Sequence, residues 1–343
     1  MAVTVALDGR GAERGPGTLI QGARAAAADG IRLRIFGDPE ELAAARDLEG
    51  VEVVQASQEI TNADEPVAAV RSRPQASVVR AAADVAGGGS AALVSAGPTG
   101  ATMTAAVFAL RRTHGVRRPA LALQLLVPGR PPDRPLILLD VGANTEARAV
   151  DLVQFGFLGS AFGVAVLGME SPRVALLSVG EESSKGSAEV VEAHSRLASA
   201  GGIEFVGNVE GRDLMADAAD VVVTDGFTGN VVLKAIEGTA RAVGEAVRAA
   251  ARSGPRAAMG GALLRPALGS LRRQMDPDTT GGAILLGLRG VAVVGHGSSG
   301  PDGVANAVRL AARAVEERAT ERTAALLERS GVTRGSMRDR KVG

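Results

Sequence analysis

Seven short segments of this chain set Gly beside Asp, Asn, Ser, Thr, Glu or His. They are Leu7-Asp-Gly-Arg-Gly11, Ser95-Ala-Gly-Pro-Thr-Gly100, Asp140-Val-Gly-Ala-Asn144, Ser178-Val-Gly-Glu-Glu182, Gly207-Asn-Val-Glu-Gly211, Thr224-Asp-Gly-Phe-Thr-Gly-Asn230 and Gly295-His-Gly-Ser-Ser299. Each is preceded by a short apolar run, and most open an Ala-rich stretch, the pattern of a strand turning into a helix. A helix N-terminus offers free N–H groups and a positive dipole end, which suit phosphate and other anions. Tight turning alone explains any single Gly. Seven such turns with polar neighbours point to a shared anion or nucleotide site, because parallel strands end along one rim and open a crevice there.

Within these turns the side chains differ in what they could do. Lys185, in Gly180-Glu-Glu-Ser-Ser-Lys-Gly186, could hold phosphate or offset oxyanion charge, or be a solvated, salt-bridged lysine. The order Lys-Gly is not the Gly-Lys-[Ser/Thr] of a P-loop. Asn144, Asn208 and Asn230 could donate to a carbonyl or phosphate, or simply bond their own turns. His296 is the only His in a strand-end turn, while His114 and His194 receive no role. Gly295-His-Gly-Ser-Ser-Gly300 fits G-x-G-x-x-G, with Glu316 and Glu317 near the acidic spacing. A dinucleotide fold also needs a following strand, and residues 304–328 read as helix.

The elements that position these turns are legible as alternating short strands and helices. Strands are expected at 3–7, 32–36, 51–55, 91–95, 121–126, 136–140, 173–178, 204–206, 221–224 and 291–294. Helices are expected at 18–28, 39–46, 99–111, 150–167, 188–198, 229–252 and 304–328. This alternation predicts an α/β fold with a mostly parallel sheet. Residues 1–330 read as one large domain carrying a helical hairpin insertion at about 245–278, and residues 331–343 as a basic flexible tail. Residues 127–135 read as a turn-rich connection.

Composition narrows the chemistry. Of 343 residues, 38 are Lys or Arg and 38 are Asp or Glu, so no net charge draws the whole chain to nucleic acid. There is no Cys, which excludes disulfides, thiolate metal sites and a Cys nucleophile. Three His make a His-rich metal site improbable, and the 2% aromatic content is all Phe, with no platform for base stacking. The first residues read as a strand rather than a signal peptide. No run is expected to reach the ~18–20 apolar residues of a membrane span. A cytoplasmic, soluble protein is the resulting expectation, in which any membrane contact would be peripheral. Residues 251–275 hold Arg252, Arg256, Arg265, Arg272 and Arg273, no acid, and the apolar Leu263, Leu264 and Leu268. Such a stretch suits an anionic membrane surface, an acidic partner or a subunit interface.

Taken in order from about residue 3 to 312, the turns resemble the PlsX-type phosphate acyltransferases of bacterial phospholipid synthesis. The matching runs are Leu139-Asp-Val-Gly-Ala-Asn144, Leu152-Val-Gln-Phe155, Gly180-Glu-Glu182 with Lys185-Gly186, Gly207-Asn-Val-Glu-Gly-Arg-Asp213, Asp225-Gly-Phe-Thr-Gly-Asn-Val231 with Lys234, Gly281-Gly-Ala283 with Leu286-Gly287, and His296-Gly-Ser-Ser299. The resemblance implies a three-layer α/β/α sandwich like the isocitrate and isopropylmalate dehydrogenases, and a homodimer. It implies transfer of a fatty acyl group from acyl carrier protein to inorganic phosphate, with no cofactor and no metal. It further implies peripheral membrane contact through the hairpin, at Leu263, Leu264, Leu268, Arg265 and Arg272, and a glycerol-3-phosphate acyltransferase that uses the product.

Carried onto this sequence, the resemblance makes Lys185 and Asn230 the catalytic candidates. Substrate-binding candidates are Asp8, Gly11, Ser95, Gly97, Thr99 and Gly100 in the first half. Asn144, Glu181, Asn208, Arg212, Asp225 and Gly229 follow, then His296, Gly297 and Ser298. The chain departs from the family pattern at Arg10, Glu13, Pro98 and residues 147–149. A nicotinamide-dependent decarboxylating dehydrogenase of similar fold and a non-catalytic membrane scaffold are the competing readings.

Overall fold

The structure, a computed structural model, describes residues 2–274 and 277–332. In chain order it runs β1 (Thr4–Asp8), α1 (Pro16–Ala28), β2 (Arg32–Gly37), β3 (Val51–Gln55), α2 (Pro66–Ser72), α3 (Ser77–Ala86), β4 (Ala92–Ser95) and α4 (Thr99–Leu110). Then come β5 (Ala120–Leu125), β6 (Leu136–Leu139), α5 (Ala149–Leu167), β7 (Arg173–Leu177), α6 (Ala188–Ala198), β8 (Glu204–Val209) and β9 (Val221–Val223). The rest is α7 (Gly226–Ala251), α8 (Pro255–Gln274), β10 (Ala283–Leu286), β11 (Val291–Val294), α9 (Pro301–Glu316) and α10 (Ala319–Arg329).

Among the described residues, eleven strands form one sheet in the order β3-β2-β1-β4-β11-β10-β5-β6-β9-β7-β8. Pairing is parallel except at β11–β10, β10–β5 and β5–β6. Three antiparallel pairings in a row reverse the sheet. Strands β6, β9, β7 and β8 therefore run opposite to β3, β2, β1, β4 and β11. Successive strand residues alternate between two cores: Val5, Leu7, Ile137 and Leu139 join one, and Ala6, Leu136 and Leu138 the other. Helices α1, α5 and α9 cover the first face, and α3 and α4 the second. Helix α5 has the length and mean hydropathy, 1.7, of a membrane span, contrary to the sequence expectation of none. It is 83% buried within the protein, the central helix of a packed core.

Most expected elements are present, with shifted ends. The helix expected at 39–46 is only a short 3-10 turn at Ala43–Ala45. The one at 304–328 breaks at Arg318, whose φ is 52°, into α9 and α10. Helices α2 and α3 and strand β10 were not foreseen. The hairpin's first arm begins at Gly226 rather than near 245, since α7 is continuous for 26 residues. Of the expected tail, residues 333–343 lie outside the described residues.

The 127–135 connection is fastened by charge. Arg130, only 5% exposed, and Arg134 reach Asp220, which is 1% exposed; Arg173 joins them at 3.0 Å. Burial pushes the Asp220 carboxyl up, but hydrogen bonds from the Arg173 side chain, the Arg173 backbone and Arg134 outweigh it and hold its pKa at about 2. Because the folded value lies below the unfolded one, this stabilisation is complete above about pH 4. It is lost as pH falls through about 2. Asp220→Asn should cost about 3 kcal/mol at pH 7, because it removes the buried charge that three guanidiniums share and leaves Arg130 and Arg173 only the exposed Asp217. Urea melts of the two proteins should converge as pH falls from 4 to 2, and parallel curves would refute the assignment.

Candidate active site

The reversed sheet separates the seven Gly-bearing turns into two sets. The turns after β1, β4 and β11 lie at one edge, and those after β6, β7, β8 and β9 at the other. Helix α4 spans the sheet between the two edges, about 18 Å for 12 residues. The expectation of a single rim is thus corrected. Lys185, Asn208 and Asn230 share an edge, and His296 stands at the opposite one.

At the first edge the candidates hold one another. Asp8 is 2% exposed and accepts from the Ser95 hydroxyl at 2.7 Å, and Ser95 in turn accepts from Gly97 N and Thr102 Oγ1, each at 3.0 Å. Burial pushes the Asp8 carboxyl up, against hydrogen bonds from Ser77, Ser95 and the Arg10 N–H. Gly11 and Gly97 are there for close backbone approach: a Cβ on Gly11 would strike the Gly97 backbone. Thr99 and Gly100 begin α4. Gly297 O accepts from Glu13 N, and the His296 Nδ1 to Ser298 Oγ distance is 2.8 Å. Asp278 takes the Ser299 hydroxyl at 2.6 Å and the Gly300 N–H at 2.8 Å, so the α9 N-terminus already holds an anion of the chain's own. No strand follows α9 among the described residues. Both facts count against a dinucleotide in this glycine-rich turn.

The second edge is built around Asp140, which is fully buried. Its Oδ1 accepts from the backbone N–H of Leu121, Gly142 and Ala143 at 3.1, 3.2 and 2.8 Å. Its Oδ2 accepts from Asn144 N and Nδ2, both at 2.8 Å. Burial pushes this carboxyl up, and the donors, led by Ala143, oppose it. Asn144 Nδ2 also donates to Pro119 O at 2.8 Å, and Asn144 O accepts from Gly226 N at 2.7 Å. Gly226 and Gly229 open α7 against this loop. A Cβ on either would collide with backbone of Asn144 or Asp140. Asp225 caps the helix, accepting from Thr228 N at 2.8 Å and Thr228 Oγ1 at 2.7 Å.

Next along this edge comes the Lys185 loop. Glu182 O accepts both Lys185 N at 3.0 Å and Asn208 Nδ2 at 2.9 Å. Asn208 lies inside β8 rather than in a turn, and its Oδ1 stands 3.0 Å from His194 Nδ1. His194 is steadied edge-on by Phe205, with ring centroids 5.1 Å apart. The Lys185 stem lies over Gly180, where a Cβ would come within 2.9 Å of Lys185 Cγ. Glu181 meets Arg212 at 3.9 Å, and Arg212 also faces Glu210 and Asp213.

Engagement therefore sorts the expected residues. Asn144 and Asn208 position loops, Asp225 caps a helix, and Glu181 and Arg212 pair. Lys185 and Asn230 are exposed, and among the described residues neither side chain has a hydrogen bond or ion pair. They are the two expected side chains at this edge left to meet a ligand. Asp140 and His194 were not foreseen. The Asp140-Val-Gly-Ala-Asn144 run signals the former, while His194 finds Asn208 only through the pairing of distant elements.

A family model described as "Fatty acid synthesis protein" matches residues 3–322. A phosphate acyltransferase of Nostoc punctiforme is 39% identical over 325 residues, covering 93% of this chain and 95% of that protein. Those of Elusimicrobium minutum and Lactococcus lactis are 46% and 41% identical, covering 79% and 89% of this chain and 78% and 92% of theirs. Among solved structures, the EutD phosphotransacetylase of Staphylococcus aureus shares the fold at TM-score 0.57 and 18% identity, covering 92% of this chain and 94% of that one. A 4-hydroxythreonine-4-phosphate dehydrogenase of Klebsiella pneumoniae does so at 0.52 and 14%, covering 90% and 98%.

Proposed function

This chain belongs to the phosphate acyltransferase family, and from that membership we infer that its reaction runs at the edge carrying Lys185 and Asn230. The enzyme moves the acyl group of an acyl carrier protein thioester to inorganic phosphate, releasing acyl phosphate and free carrier. A phosphate oxygen attacks the thioester carbonyl, the C–O bond forms, and the C–S bond breaks. The sulfur leaves as a thiolate and takes a proton from water. Phosphate brings its own charge and nucleophilicity, so the protein need supply only orientation and a countercharge for the tetrahedral oxyanion. Lys185 supplies that charge and Asn230 donates to the reacting oxygen.

The observation that carries this reading is that these two side chains stand unengaged at the sheet edge where α7 begins while their neighbours are tied down. The departures at Arg10, Glu13 and Pro98 lie in the turns of the opposite edge, whereas residues 147–149 follow the Asp140–Asn144 loop on this one. The test is formation of acyl phosphate and free carrier thiol that depends on added phosphate. Reduction of a nicotinamide by a hydroxy acid would instead favour a dehydrogenase.

The finer fold reading is a three-layer α/β/α sandwich of the isocitrate and isopropylmalate dehydrogenase kind, supported by the two cores on opposite faces of the sheet. A homodimer is supported by α7, where only Gly226 and Gly229 are buried and Phe227, Val231 and Val243 are more than half exposed. Peripheral attachment on the cytoplasmic side is supported by Met259, Leu263 and Leu264, exposed by 67%, 78% and 58%, beside the exposed Arg265. Leu268 is half-buried, and the Arg272 side chain lies outside the described residues. Leu263→Asp with Leu264→Asp should abolish pelleting with vesicles rich in phosphatidylglycerol; undiminished pelleting rules the hairpin out. The product is a reactive mixed anhydride, which suits direct use by a glycerol-3-phosphate acyltransferase at the same surface.

A further inference from the structure

At the C-terminal end of α4 lies a cavity of about 620 Å³ lined by Arg71, Val107, Phe108, Arg111, Arg112, Thr113 and Val116. Phe108 is 45% exposed, and the Arg71 guanidinium stands 5.4 Å from its ring centroid. Arg289 adjoins, its Nε donating to Arg112 O at 3.2 Å and its N to Arg111 O at 3.0 Å. The Arg112 guanidinium donates to Arg117 O. Among the described residues, none of Arg71, Arg111, Arg112 and Arg289 reaches a carboxylate. By contrast, Arg117 next door is paired with buried Asp151 at 2.8 Å. Four arginines without acids around an apolar floor make a surface that lacks its countercharge.

Its position matters as much as its charge. Thr113 N donates to Gly287 O, just past β10, and β10 lies two strands from β6, which ends at Asp140. The cavity is therefore on the catalytic edge, about 10 Å along the sheet from the Asp140 loop. Pro119, shortly after Val116, accepts from Asn144 in that loop.

We propose that this arginine-rimmed cavity docks the acyl carrier protein, its arginines meeting acidic groups and the phosphodiester at the root of the thioester arm, with Phe108 and Val107 against the arm itself. The proposal rests on the acyltransferase reading above. Phosphodiester and acid suit Arg forks, and the apolar floor suits the arm, whereas free phosphate needs no such floor. From there a flexible arm can reach Lys185 along the same edge.

The test is the double variant Arg71→Glu, Arg111→Glu. The KM for acyl carrier should rise about tenfold or more, with a parallel rise in Kd for the carrier alone by calorimetry. The KM for phosphate should not move, and the salt dependence of carrier binding should flatten. Arg71→Lys, Arg111→Lys, which keeps the charge but not the fork, should recover only part of the affinity, and an unchanged thermal melt excludes misfolding. An unmoved carrier Kd, or a rise confined to the phosphate KM, overturns the proposal. So does a change of oligomeric state at constant carrier Kd, which assigns the cavity to a second copy of the chain. If the wild-type protein binds carrier here but forms no acyl phosphate, the reaction fails and the docking site stands.

Discussion

Lys185→Ala should lower kcat/KM for acyl phosphate formation by about 10²–10³, the cost expected on removing one group that faces developing oxyanion charge. The magnitude also says something about the working site. A hundredfold effect is about 2.7 kcal/mol, whereas a unit-charge pair at 4 Å is worth about 1 kcal/mol in water and about 4 at an effective dielectric of 20. An ammonium as exposed as Lys185 can reach the expected effect only if bound substrate shields it from water. Lys185→Arg keeps the charge and should recover part of the rate. Arg212→Ala is the control: Glu181, Glu210 and Asp213 already occupy Arg212, and its loss should cost less than about threefold. Coupled assay of the free carrier thiol decides the matter, and equal losses for Lys185 and Arg212 would remove the special place given to Lys185.

Gly229→Ala should be the most damaging single methyl in the protein. A Cβ there falls on the Asp140 carbonyl oxygen, with Asp140 C and Thr224 Cγ2 each 3.0 Å away. Backbone held by four N–H hydrogen bonds to one carboxylate cannot step aside as a flexible side chain would. Overpacking of this kind costs about 3 kcal/mol or more. The surviving folded protein should also turn over about 100-fold more slowly, because Asn230 is the next residue and a shift of about 1 Å spoils alignment. A thermal melt and the thiol assay measure the two effects. Gly238→Ala, where a Cβ meets nothing, is the matched control and should leave both near wild type. A Gly229→Ala protein with normal melting and rate would show that α7 is not seated on the Asp140 loop.

Much of the sheet was readable because its central strands are buried on both faces and appear as unbroken apolar runs, as in Leu136–Leu139 and Val221–Val223. Strand direction was harder. Period and composition are the same for a strand running either way, and direction is set by pairings between distant segments. One clue did lie in the sequence. Parallel strands need a crossover of a dozen or more residues, usually helical, and the segment between Leu125 and Leu136 is too short and too rich in proline to be one. That favours β5 meeting β6 antiparallel, but the division of the rim depends equally on the two antiparallel pairings of β10. Strand β10 was hidden by its brevity between Gly282 and Gly287. Helix α2 was hidden because its cap is Glu65, which accepts from Val67 and Ala68 N–H groups in place of a more familiar Ser or Asp. At the site, chemical type was legible and engagement was not. Asn144, Asn208 and Asn230 are alike in sequence, and only the fold distinguishes two structural amides from one turned outward.

The Asp278 carboxylate at the start of α9 bears on what the Gly295–Gly300 turn can accept. An ion tethered within the same chain is always at its post, at an effective concentration that dissolved metabolites must outcompete. A nucleotide diphosphate arriving at the Gly295–Gly300 turn would have to evict a resident carboxylate and then share the space with it. The Gly295–Gly300 turn thus carries its own anion, supplied from within the chain.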